Sequence, residues 1–90
     1  HALDGALSRP SSGAEWHALL EREYHALCDA ADRGEQTLID PYGSEDPAEF
    51  FAVATEAFIE LPIPLKSRHR ELYDSLSRLF GLDPASWQWR

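Results

Sequence analysis

Between Asp40 and Phe58 the chain reads DPYGSEDPAEFFAVATEAF, which sets Tyr42 seven residues before Glu49 in a largely apolar run. A carboxylate among Phe50, Phe51, Val53 and Phe58 is costly to desolvate unless a donor or a cation receives it, and a metal ion is one such receiver. His1 offers a second ligand of the kind zinc takes. Tyr42 offers a phenol that can donate a hydrogen bond to a developing oxyanion, although a loop tyrosine ordinarily just packs. Glu56 lies two turns beyond Glu49 at nearly the same azimuth, so it is either a solvated edge residue or a carboxylate that orients a ligand. A simpler reading competes for Glu49: a glutamate at the third helical position commonly reaches back to the N-cap and favours the positive helix end. Spacing alone favours that cap.

Other chemistry is poorly represented. His17, His25 and His69 form no i, i+4 histidine pair and read as surface or edge residues. Ser11, Ser12 and Ser44 lack the strand-turn-helix setting of a nucleophilic serine, and no glycine-rich phosphate loop occurs. Cys28 is the single cysteine, so it has no internal disulfide partner; its place in an amphipathic pattern suits a small buried thiol.

The elements that must position these groups are helical. Residues 8–15, SRPSSGAE, read as a connector. From Trp16 onward Leu19, Leu20, Tyr24, Leu27, Cys28 and Ala31 recur at intervals of three and four, which predicts a helix over about 14–33 with Gly34 as its stop. Asp40, Pro41 and Gly43 place Tyr42 on a turn. Asp46, Pro47 and Glu49 form a helix start, predicting a helix over 46–60, which Pro62 and Pro64 should bar from continuing. A third helix is expected over 65–80, with Leu65, His69, Leu72, Tyr73, Leu76, Leu79 and Phe80 on one face and Gly81 as its cap. Trp87 and Trp89 follow in a tail able to dock on the body or on a further part of the protein. No stretch alternates convincingly as a strand, so the fold class is mostly α.

Ninety residues suit one small domain or a part of a larger one, and 43% hydrophobic residues with three tryptophans exclude a disordered tail. Eight basic against sixteen acidic residues leave a net charge of −8, a field that repels nucleic acid and anionic membrane surfaces. No apolar run approaches the roughly 20 residues of a membrane span, so a soluble, cytoplasmic protein is expected. The absence of methionine suggests that the chain begins inside a larger reading frame.

HALDG at residues 1–5 and the segment from Asp40 to Phe58 together resemble the C-terminal part of the Mlc titration factor A family, with weaker similarity in the third helix and the L-D-P after it. These are bacterial glucose-regulated zinc metallopeptidases whose catalytic fold is similar to that of the anthrax lethal factor peptidase. Members carry HExxH followed by Leu and Asp, so the resemblance makes His1 the second zinc histidine and Glu49 the third protein ligand. Tyr42 becomes the oxyanion stabiliser, with Asp4 and Glu56 as outer carboxylates that orient a ligand. It reverses the reading of Glu49 as a cap alone. The first histidine and the glutamate that activates water would lie directly before residue 1, so the 90-residue chain by itself is expected to be inactive. Residues 1–7 would then be the end of the metal-motif helix, 8–15 the connector and 16–90 the helical part of a zincin-like peptidase domain. The implied activity is aminopeptidase-type hydrolysis of peptides with one Zn2+, and the implied partner is the Mlc repressor of glucose-system genes. The contrasting expectation is a non-catalytic acidic helical module that binds a protein through its C-terminal tryptophans.

Overall fold

The structure, a computed structural model, describes residues 13–87. Four α-helices and two 3-10 turns make up this part: α1 (Gly13–Asp32), a turn at Pro41–Ser44, α2 (Pro47–Glu60), α3 (Pro62–Arg68), α4 (Arg70–Phe80) and a turn at Pro84–Ser86. No strand occurs among the described residues, in keeping with a mostly α-helical fold. Nor is any described helix long and apolar enough to cross a membrane.

α1 begins one residue before the expected Ala14, and its C-terminus closes on a Schellman motif. Gly34 sits at φ +70 and donates to the Ala31 carbonyl, while the Glu35 N–H donates to that of Ala30. Glycine takes that left-handed conformation without the penalty a Cβ brings. Leu19 and Leu27 are the buried residues of α1, and Trp16, Leu20 and Tyr24 pack at the core's edge.

α2 starts where the sequence signals it. Asp46 is extended at φ −166 and ψ 168, its Oδ1 accepts the Glu49 N–H at 2.9 Å, and Pro47 occupies the first turn where no N–H is needed. Asp46→Ala is expected to lower the stability of the chain by about 1 kcal/mol, with Asp46→Asn recovering most of it. Urea unfolding of both variants checks this; a change in the alanine variant within a few tenths would remove the cap from the account.

The core forms where α2 meets the other helices. Phe50, Val53, Ala54, Ala57 and Phe58 on α2 bury against Leu27, Ile39, Leu65, Leu72, Tyr73 and Leu76. The Phe58 ring lies 5.1 Å from that of Tyr73 and 6.0 Å from that of Phe80. Tyr73 is buried, and its hydroxyl donates to the Asp83 carboxylate and accepts the Ala85 N–H at 2.9 Å, tying the second 3-10 turn to the core. Burial, followed by the bond to Asp83, pushes the Tyr73 phenol above its usual range, so it remains a neutral donor.

The expected third helix differs in two respects. Pro62 and Pro64 do stop α2, but they stand in the first turn of α3 rather than outside a helix, a place where the missing proline donor is harmless. The helix is also divided at His69, whose φ −132 and ψ 62 leave helical geometry between α3 and α4. The division lets α4 run beside α1: His69 Nδ1 lies 3.0 Å from Glu23 Oε1, and Arg22 bridges Glu71 at 2.9 Å. His69 is therefore partly buried against a carboxylate instead of lying along a continuous apolar stripe.

Candidate metal centre

Tyr42 and Glu49 are each set by a cap. Asp40 Oδ1 accepts the Tyr42 N–H at 2.9 Å and opens the 3-10 turn, and two residues after that turn ends Asp46 opens α2 in the same manner. The turn packs flat against both α1 and α2 because Gly43 has no side chain. A Cβ there would stand 2.6 Å from Val53 Cγ2, 3.1 Å from Leu27 Cδ2 and 3.2 Å from the Phe50 Cα. Gly43 is buried, so the two functional side chains project from a junction with no slack.

α1 holds the turn from its other side. The Tyr24 hydroxyl donates to the Ser44 carbonyl at 3.3 Å, and the Cys28 thiol approaches the same oxygen at 3.8 Å. Desolvation raises the Tyr24 phenol above its ordinary value, and Cys28, Asp46 and Glu45 push the same way. The phenol is thus kept as a donor. Sequence patterning placed Tyr24 and Cys28 on the buried stripe of α1 and missed this role; their i, i+4 spacing, which stacks two polar atoms on one face, is the trace it leaves.

Glu49 is partly buried, and its carboxylate makes no hydrogen bond or ion pair with a described residue. The return bond of a capping box is not formed, so the residue helps the helix only through its N–H and its charge near the positive end. Tyr42 is 55% exposed with its hydroxyl turned to no described partner. Glu56 is exposed on the same side of α2, one helical face removed from the core residues Phe50, Ala54 and Ala57. His1 and Asp4 lie outside the described residues. His17 and His25 are exposed on α1, where they line a cavity closed by Tyr24, Pro47 and Phe50, and no three His, Cys, Asp or Glu side chains among the described residues stand together as a metal cage.

The electrostatics around the junction have one sign. Residues 34–65 contain seven carboxylates and no Lys, Arg or His. Four of the seven, Asp40, Glu45, Asp46 and Glu49, flank Tyr42 within ten residues. Such a surface attracts cations and positively charged ligand groups and repels anions. Glu49, partly desolvated and without a partner among the described residues, is a carboxylate that suits a divalent cation, while no three metal-ligating side chains stand together there.

The chain matches the family described as glucose-regulated metallo-peptidase M90 over residues 2–81. An uncharacterised protein of Synechocystis sp. is 37% identical over 92% of this chain, and the match covers 31% of that protein. Mlc titration factor A of Pectobacterium atrosepticum is 36% identical over 79% of the chain and 31% of its own length, and that of Serratia proteamaculans 37% identical over 79% and 28%. No solved structure matches. The chain spans about a third of the length of the curated relatives it matches. With four-fifths or more of its residues aligned to the family, including the junction that carries Tyr42 and Glu49, the chain belongs to the glucose-regulated metallopeptidases of family M90.

Proposed function

We propose that this chain is the C-terminal helical part of a zinc peptidase, in which Glu49 and His1 are protein ligands of the metal and Tyr42 faces the reacting carbonyl. The observation that carries the reading is the Glu49 carboxylate, held at the first turn of α2 without a partner among the described residues. A carboxylate fixed in place by a capped helix is preorganised to receive a cation at little further ordering cost. Zinc, when bound, lowers the pKa of its water and polarises a peptide carbonyl. The chain's own contributions are then distinct. Glu49 supplies charge to the metal, and Tyr42 donates its phenolic hydrogen to the oxygen that gains charge as the carbonyl becomes tetrahedral. Glu56 and Asp4 are placed as carboxylates that hold a ligand in orientation.

The anionic junction supports aminopeptidase-type action, because a free peptide ammonium is the substrate end that such a surface attracts. The same field favours a peptide over a nucleic acid or an anionic membrane as the molecule it meets. Binding of the Mlc repressor, and with it a role in glucose regulation, extends to this chain from the name that two of its relatives carry. A cytoplasmic location accords with that role.

The general base and the first histidine of the metal motif are assigned to the residues before His1. The codons upstream are expected to encode His and Glu four and three residues before it; any other pair removes the peptidase reading. The 90-residue chain alone is expected to hydrolyse no peptide above background. Robust, chelator-insensitive hydrolysis by the purified chain would contradict the assignment.

A further inference from the structure

Six large apolar side chains stand exposed at one end of the fold. Ile59 and Leu61 end α2, Ile63 lies in the first turn of α3, Leu79 and Phe80 close α4, and Leu82 follows it, each between 41% and 63% exposed. Phe80 joins the two helix ends, its ring 6.0 Å from that of the fully buried Phe58, so this rim is continuous with the core. Scattered exposed apolar residues need no account, but a cluster rooted in a core marks a surface that another polypeptide covers.

The opposite end of α2, about 20 Å away at 1.5 Å per residue, is the carboxylate-rich junction of Asp40, Glu45, Asp46 and Glu49. The relatives carry over two-thirds of their length outside the matched part. That remainder must cover some face of the helical third, and the rim is the face that gains by being covered. We infer that the apolar rim docks the remainder of the M90 polypeptide, the part its relatives carry outside the matched third. The inference rests on family membership and not on the zinc reading.

The test uses two proteins: the 90-residue chain, and the full-length Synechocystis relative with its matched third replaced by this chain. Each carries the pair Ile63→Glu and Leu79→Lys, whose charges suit the helix ends they occupy and leave the helices themselves little affected. The expected result is a Tm lower by no more than about 3 °C in the isolated chain and by about 6 °C or more in the chimera. Sedimentation should find the isolated chain monomeric. Equal shifts in both proteins, or a chimera without a cooperative transition, would overturn the inference. So would a dimer of the isolated chain that the paired substitution dissolves, since the rim would then belong to a second copy. Glu49→Gln in the metal-free chimera is expected to leave Tm within about 1 °C, and a failure of the zinc reading would appear in the zinc-loaded chimera as unchanged metal content while the rim result stands.

Discussion

Gly43→Ala is expected to destabilise the chain by about 2 kcal/mol, a fall in Tm of about 10 °C for a domain of this size. The cause is steric and not conformational, because Gly43 is not among the glycines with positive φ. The added methyl would stand 2.6 Å from Val53 Cγ2, well inside contact distance. Val53 is β-branched and fixed at χ1 in a helix, so it has little room to turn aside. The next neighbours, Leu27 Cδ2 and the Phe50 backbone, belong to the buried core. The 3-10 turn must therefore lift from α2, and Tyr42 moves with it. A double-mutant cycle separates this cause from a general loss of packing. Val53→Ala alone opens space and destabilises, but combined with Gly43→Ala the two should cost less than their sum by about 1 kcal/mol. Thermal or urea unfolding of the three variants reads the coupling, and strict additivity would show that the methyl at residue 43 clashes elsewhere.

Glu49→Gln is expected to separate fold from chemistry in a polypeptide of the relatives' length that carries this chain. Glutamine keeps the shape of the side chain, and the bond from the residue 49 N–H to Asp46 is a main-chain bond that survives. The carboxylate has no partner among the described residues to lose, so unfolding of the metal-free protein should shift by no more than about 0.5 kcal/mol. Zinc affinity, read by competition with a chelator, should fall on the order of a hundredfold or more, because a neutral amide replaces a charged ligand. Peptide hydrolysis should fall with it. Zinc content equal to that of the unmodified protein would remove Glu49 from the ligand set.

The periodic and capped segments were legible from sequence because their signals are local. The apolar stripe of α1, the Gly34 stop, the Asp46-Pro47 start of α2 and the Gly81 cap each depend on residues within a turn of one another. The division at His69 was not legible, since neither proline nor glycine marks it. What holds it is the contact with Glu23, 46 residues earlier in the chain. Pro62 and Pro64 were read as breakers, yet the same missing donors serve equally at the start of a helix, and only the course of the chain after Leu61 decides between the two. The candidate roles of Tyr42 and Glu49 came from resemblance to a family and not from local pattern. Their spacing alone left Glu49 as a cap, and the absence of the return bond is a fact of three dimensions.

The single carbonyl of Ser44 gives the junction a mechanical character. Its two donors, Tyr24 and Cys28, belong to α1, whereas Glu49 travels with α2 and the core. The turn that carries Tyr42 is thus bonded to α1 through Ser44 and packed on α2 through Gly43. A tilt of α1 across α2 would be passed through Ser44 to the turn and would displace Tyr42 relative to Glu49. The separation between phenol and carboxylate is then sensitive to the angle at which the two helices cross, and whatever leans on α1 from outside would set the spacing of these two candidate site residues.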